Sequence, residues 1–178
     1  MCSGIIIAMP QNKIDELNMG WTLFVRITHW LIAALVITNF FNDTGLWHRV
    51  LGYACLGLVF FRFIYGLCVS KVSSSQLYIP SFLSIQQHLI EIFSRKIKPH
   101  AGHNPLGQCA VYLMWLLIVL LAFSGWLSRT DTFWGEAWPV DCHQLFSNLL
   151  QGLVILHLIA VVVMSILQKN NLVKRMIK

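Results

Sequence analysis

Long apolar stretches separated by shorter polar connections dominate this chain. Four of them, at 22–41, 48–69, 106–127 and 145–167, reach the roughly 20 residues that a helix needs to cross the hydrocarbon core of a membrane. We therefore predict an all-α fold, an integral membrane bundle of four transmembrane helices. The spans use most of the 178 residues, so residues 21–178 are expected to form one transmembrane domain behind an N-terminal extension at 1–20.

The connection between the second and third spans contains a weaker helical pattern. Ile85, Leu89, Ile92 and Phe93 recur at helical spacing with polar residues between them, which predicts a short helix lying in the membrane interface. His88 belongs to this helix and is interpreted as a solvated side chain. Asn104 and Pro105 predict a turn just before the third span.

Composition supports a membrane protein over a soluble one. The chain is 57% hydrophobic and 11% charged, whereas an ordinary soluble domain is roughly 45–50% apolar and about 25% charged. The net charge of +6 could indicate nucleic-acid binding, but the basic residues lie between apolar stretches and form no single patch. We therefore expect a lipid bilayer as the surroundings and no nucleic acid as a partner.

Basic residues in the connections predict the orientation, because Lys and Arg are retained on the cytoplasmic side of short loops. The two connections on the opposite side contain only Arg49 and Arg129, together with the acidic Asp131, Glu136 and Asp141. Both termini are therefore predicted to be cytoplasmic. The basic residues that place them there are Lys13, Arg26, Lys71, Arg95, Lys96, Lys98, Lys169, Lys174, Arg175 and Lys178.

Four histidines within or beside the spans are the main candidates for chemistry, because ionisable groups in a membrane are costly and usually functional. His143 and His157 are 14 residues apart in the fourth span, which puts them within about 40° of one helix face and about 21 Å apart along it. By depth, His29 pairs with His157 on the cytoplasmic side and His48 pairs with His143 on the other. Two bis-histidine pairs across a four-helix bundle are what two haem groups require.

Two arginines fit the same scheme. Arg62 follows His48 by 14 residues and lies on the same face, so it is expected at the level of the cytoplasmic haem. Arg26 precedes His29 by about one turn. Both guanidinium groups could therefore pair with the propionates of that haem.

The same residues also fit roles without haem. A single intramembrane histidine often only bonds a neighbouring helix, and His48 and His143 could lie among the lipid head groups. A zinc site would need further Cys or carboxylate ligands close together, and no carboxylate lies in any span. Proton or ion transport usually requires an Asp or Glu within the membrane, so the spans do not favour it either. Five cysteines occur without a C-x-x-C pair, which argues against covalently attached haem. A haem-free structural anchor is the alternative from another class.

Several short motifs resemble the bacterial cytochrome b561 and nickel-iron hydrogenase cytochrome b subunit family. Their order and spacing carry the resemblance, which covers almost everything from Trp21 onward. The matching stretches are RITHW at 26–30, HRVLGY at 48–53, FRFIYG at 61–66, GHNPLG at 102–107, HQLFSN at 143–148 followed by His157, and NLVKRM at 171–176.

The resemblance implies a multi-pass protein of the bacterial inner membrane with two non-covalent b-type haems. His29, His48, His143 and His157 would be their axial, metal-binding ligands. Electrons would pass between the quinone pool of a respiratory chain and a redox partner, either a periplasmic cytochrome c or an oxidoreductase subunit. His103, in the GHNPLG motif, could line a quinone pocket, bond a propionate or cap the third span.

The resemblance leaves the exact role open. The chain could be the membrane anchor and electron carrier of a hydrogenase-like oxidoreductase. It could equally act alone as a quinone-linked cytochrome that oxidises superoxide or reduces a soluble cytochrome c. The first 20 residues have no counterpart in the family, so Met9 or Met19 could be the true start in place of Met1.

Overall fold

A computed structural model describes residues 21–68, 77–94 and 104–177. These ranges contain six α-helices, one 3-10 helix at Asp131–Phe133 and no strands. The predictions made for residues 1–20, for His103 and for all four basic residues between the second and third spans lie outside the described residues. The α-helices are α1 (Leu23–Phe40), α2 (Gly45–Cys68), α3 (Phe82–Phe93), α4 (Pro105–Leu127), α5 (Trp138–Leu167) and α6 (Leu172–Ile177).

Four of these helices, α1, α2, α4 and α5, are long and apolar enough to cross a membrane. The predicted four-helix transmembrane architecture is therefore confirmed. The fourth spanning helix, α5, begins at Trp138, well before the predicted start of the fourth span at 145. Pro139 and Asp141 occupy its first turn, where proline and an acidic side chain both favour a helix start, so the helix continues beyond its apolar stretch.

The four long helices pack around a small apolar core. Its buried side chains come from α2, α4 and α5, and α1 adds partly buried residues. Most other apolar side chains point outward and are exposed, as expected of helices that are hydrophobic all round. The buried core residues are Cys55, Val59, Leu117, Ile118 and Leu150.

Successive long helices run in opposite directions, so the bundle has two ends. We call the end where α1 and α4 begin the near end, and the end where α2 and α5 begin the far end. At the near end, the Leu77 amide donates to the Gly66 carbonyl at 3.2 Å. This hydrogen bond holds the segment around Leu77 against the end of α2. Asn104 caps α4 by accepting from the Gly107 amide at 2.6 Å, and Pro105 is the first helical residue, as the predicted turn requires.

Helix α3 confirms the short helix predicted in the connection, although it begins at Phe82. Ser81 caps it by accepting from the Ser84 amide at 3.2 Å. The interpretation of His88 as solvated is wrong, because the residue is only 2% exposed and its ring lies 3.6 Å from Glu91. Helix α3 packs on α4, which removes part of its surface from solvent.

Candidate functional site: two histidine pairs in the helix bundle

The four candidate histidines form two pairs at different levels of the bundle. Toward the near end, His29 of α1 faces His157 of α5, with ring centroids 6.4 Å apart and planes inclined by 56°. At the far end, His48 of α2 faces His143 of α5, with centroids 5.8 Å apart and planes inclined by 69°. All four residues are half-buried. The structure thus brings together the same pairs that their depths in the spans predict.

The spacing within each pair fits two imidazoles that share one metal ion. With metal–nitrogen bonds of about 2 Å, two imidazoles on opposite sides of an ion have ring centroids roughly 6 Å apart. Within the described ranges, no third His, Cys, Asp or Glu joins either pair to make an ion site. Each pair would therefore suit a group that brings the other ligands of its metal itself, as a porphyrin does.

The far-end pair is held by hydrogen bonds that fix its tautomers. His48 Nδ1 lies 2.7 Å from the Asn42 carbonyl oxygen. A carbonyl only accepts, so Nδ1 carries the hydrogen and the lone pair is left on Nε2. The Asn39 side chain donates to the His48 carbonyl at 3.1 Å, which ties the end of α1 to the start of α2.

His143 is oriented in the same way from α4. Its Nδ1 donates to the Leu121 carbonyl at 3.0 Å, and the Ser124 hydroxyl oxygen lies 3.1 Å from the same nitrogen. A hydrogen bond of this kind fixes the ring and raises the basicity of the free nitrogen, as is usual for metal-binding histidines. Gly125 gives the ring its space, because a Cβ there would lie 3.2 Å from His143 Cε1.

The near-end pair has a different environment. The His29 ring packs edge-on against Trp30, with centroids 5.5 Å apart. In the part of the chain that the structure describes, neither His29 nor His157 has a carbonyl partner comparable to Asn42 or Leu121. The two pairs are therefore chemically unequal, although each spans a similar distance.

The C-terminal helix covers the beginning of α1 at the near end. Arg26 Nη1 donates to the Ile177 carbonyl at 3.1 Å, and Trp30 Nε1 donates to the Met176 carbonyl at 3.2 Å. Both acceptors are at the end of α6, where a cation and N–H donors are favourable. The Arg26 Nε is buried and has no hydrogen-bond partner among the described residues.

Arg62 lies deep in the bundle. It is 5% exposed, and its guanidinium carbon is 6.0 Å from the Tyr65 ring centroid and 5.9 Å from that of Trp115. Such distances are those of cation–π contacts. The contacts of Arg26 and Arg62 therefore run to different helices: Arg26 meets α6, and Arg62 meets aromatic residues of α2 and α4. His103 lies outside the described residues.

Sequence reasoning missed the groups that orient the far-end pair. The carbonyls of Asn42 and Leu121 have no sequence signature, because every residue has a carbonyl. Ser124 and Gly125 do leave a signal in the sequence. A hydroxyl next to a glycine, near the end of the third span, is a place where a ring from a neighbouring helix can pack closely and form a hydrogen bond. Gln108 was also missed, because an amide close to the start of a span is common and gives no signal of its burial.

Four helices of spanning length, with imidazoles paired at two levels between facing helices, fit a membrane protein that holds porphyrin inside a helix bundle. The family model for prokaryotic cytochrome b561 matches residues 20–178, and the chain belongs to this family. Membership makes it a haem-b-binding membrane protein of electron transfer and confirms the resemblance read from the motifs. Neither a curated protein nor a solved structure matched the chain.

Proposed function

We propose that this protein carries electrons across the bacterial inner membrane, between the quinone pool and a redox partner, through two b-type haems. The observation that supports this most directly is the pairing of His29 with His157 and of His48 with His143, at ring spacings of 6.4 and 5.8 Å. The two pairs would hold one haem each. His143 and His157 would offer ligands about 21 Å apart along a single helix.

The protein's own groups would bind and tune the two haems. Haem held between two imidazoles supplies a one-electron redox centre whose potential depends on its axial ligands, burial and nearby charges. At the far end, the carbonyls of Asn42 and Leu121 would keep both Nε2 atoms available as ligands. At the near end, Arg62 and Arg26 would balance the negative charge of propionates. Arg26 would then be shared between a propionate and the end of α6.

The proposed orientation places the near end in the cytoplasm, with both termini. Quinone or quinol would react there, beside the haem of His29 and His157, so quinone oxidoreductase activity is part of the proposal. The far end would meet the partner, a periplasmic cytochrome c or an oxidoreductase subunit. Asp131, Glu136 and Asp141 are exposed at that end and would attract a basic protein surface by electrostatic steering.

The experiment that tests the proposal is a haem count on the purified full-length protein, made with the pyridine haemochrome assay. We expect two b-type haems per chain in the wild type and one in His157→Ala. His88→Gln is the matched control, because His88 lies outside the spans, and it should keep both haems. Two haems in His157→Ala would contradict the ligand assignment. A colourless wild type after expression with added haem would instead support the structural anchor.

A further inference from the structure

Gln108 is a buried polar residue at the near end of the bundle. It is the fourth residue of α4 and is 0% exposed. Neither its Oε1 nor its Nε2 has a hydrogen-bond partner of good geometry among the described residues. A buried amide without well-formed hydrogen bonds destabilises the fold, so a ligand that bonds the amide is a physical reason for its presence.

Gln108 has a polar neighbour, Tyr112, which in turn contacts polar groups of two other segments. Tyr112 follows one turn later, and its hydroxyl lies within reach of Gln108 but donates to the Tyr78 carbonyl at 3.0 Å. Partial burial raises the pKa of the Tyr78 phenol, and Cys109 and Tyr112 act in the same direction, so this hydroxyl stays neutral. Arg62 is close enough to Tyr112 to interact with it electrostatically.

An apolar groove of about 270 Å³ adjoins this cluster between α2 and α4. Tyr112 and Trp115 belong to both features, because they line the groove and also contact or interact with Arg62. The groove continues along the bundle toward Val119 with almost no polar lining. The Gln108 amide thus lies one helical turn from Tyr112, where the apolar groove between α2 and α4 begins.

From this arrangement we infer that Gln108 binds the head group of a membrane quinone whose tail lies in the groove between α2 and α4. The inference rests on the proposed function and assigns its quinone to a specific site. A quinone carbonyl accepts a hydrogen bond and a quinol hydroxyl donates one. An amide offers a donor at Nε2 and an acceptor at Oε1, so Gln108 can bond both forms. A lipid phosphate only accepts and would leave Oε1 buried and unpaired.

The test is a titration of the haem-loaded, full-length protein in phosphatidylcholine nanodiscs with decylubiquinone. Gln108→Leu should weaken binding by about tenfold, because it removes both hydrogen-bonding atoms at similar volume. Gln151→Leu, an exposed glutamine of α5, is the matched control and should bind like the wild type. Both variants should retain the haem content of the wild type.

A second pair of variants tests the apolar groove between α2 and α4 without changing the Gln108 amide. Val119→Trp fills the far part of the groove, so it should weaken decylubiquinone but leave the affinity for the same benzoquinone without a tail unchanged. Val163→Trp places the same side chain on the outer face of α5, where Val163 is as exposed as Val119. It should change neither affinity.

The outcomes separate the site from the function. If the wild type binds decylubiquinone and Gln108→Leu binds it within about twofold, the Gln108 site is overturned while the electron-transfer proposal stands. If the wild type holds two haems but binds no quinone, the quinone part of the proposed function fails as well. A lowered melting temperature or a lost haem in Gln108→Leu would make the amide structural and would also overturn the inference.

Discussion

The imidazole of His143 lies directly against the backbone of Gly125. A Cβ on Gly125 would be 3.2 Å from Cε1 and 3.3 Å from Nδ1 of that ring, which is closer than ordinary van der Waals contact. The same ring donates to the Leu121 carbonyl one turn earlier on α4. Helix α4 therefore determines both the position and the tautomer of a histidine on α5.

This relationship predicts the effect of Gly125→Ala. The added methyl should displace the His143 ring and lengthen its hydrogen bond to Leu121. A weaker hydrogen bond lowers the basicity of the ligand, so the midpoint potential of one haem should rise while the other is unchanged. Spectroelectrochemical titration measures both potentials. Gly57→Ala is the control, because nothing lies within 4 Å of a Cβ there. Equal shifts of both haems would contradict the expectation.

The pairing of the histidines predicts how double variants behave. His29 faces His157 and His48 faces His143. Once one histidine of a pair is replaced, replacing the other should therefore remove no further haem. His29→Ala/His157→Ala should retain one haem per chain, as each single variant should. His29→Ala/His48→Ala should retain none. A haem count that gave one haem for the second double variant would mean that the pairs exchange ligands.

The contacts of α6 predict how the C-terminal helix is held. Arg26→Gln and Trp30→Phe each remove a donor to its last carbonyls. Each change should cost about 0.5–1.5 kcal/mol of docking free energy and so increase local opening several-fold. Limited trypsin digestion followed by mass spectrometry should show faster cleavage after Lys174 and Arg175. Arg129→Gln, at the far end, should leave that rate unchanged. An unchanged rate in both near-end variants would show that other contacts hold α6.

The close approach of Leu77 to Gly66 predicts a cost for Gly66→Ala. The new Cβ would overlap the Leu77 side chain and lie 2.9 Å from Arg62 Nη1. Overpacking of this kind costs about 1–3 kcal/mol, so the melting temperature in detergent should fall. Gly152→Ala is the matched control, since a Cβ there meets nothing within 4 Å. It should be neutral or slightly stabilising, because alanine is the better helix former. A similar melting temperature for both variants would show that the Leu77 side chain yields without cost.

Much of the fold could be predicted because hydrophobicity and helical periodicity are local properties. The number of spans and the short α3 follow from them, and the four spans are confirmed. The start of α5 was placed too late because Asp141, His143 and Gln144 interrupt the apolar stretch without ending the helix. The burial of His88 was missed because a helical pattern does not say what packs against a helix.

The sequence by itself determined the number and approximate positions of the four spans and that four histidines lie at two depths, since helix rise and residue spacing fix positions along an axis. Only the tertiary structure decided which carbonyl faces each Nδ1, that α6 docks on Arg26 and Trp30, and that Gln108 is buried. These features depend on the rotation and offset of one helix relative to another. Side-chain packing between helices sets both, and no stretch of a single helix encodes them.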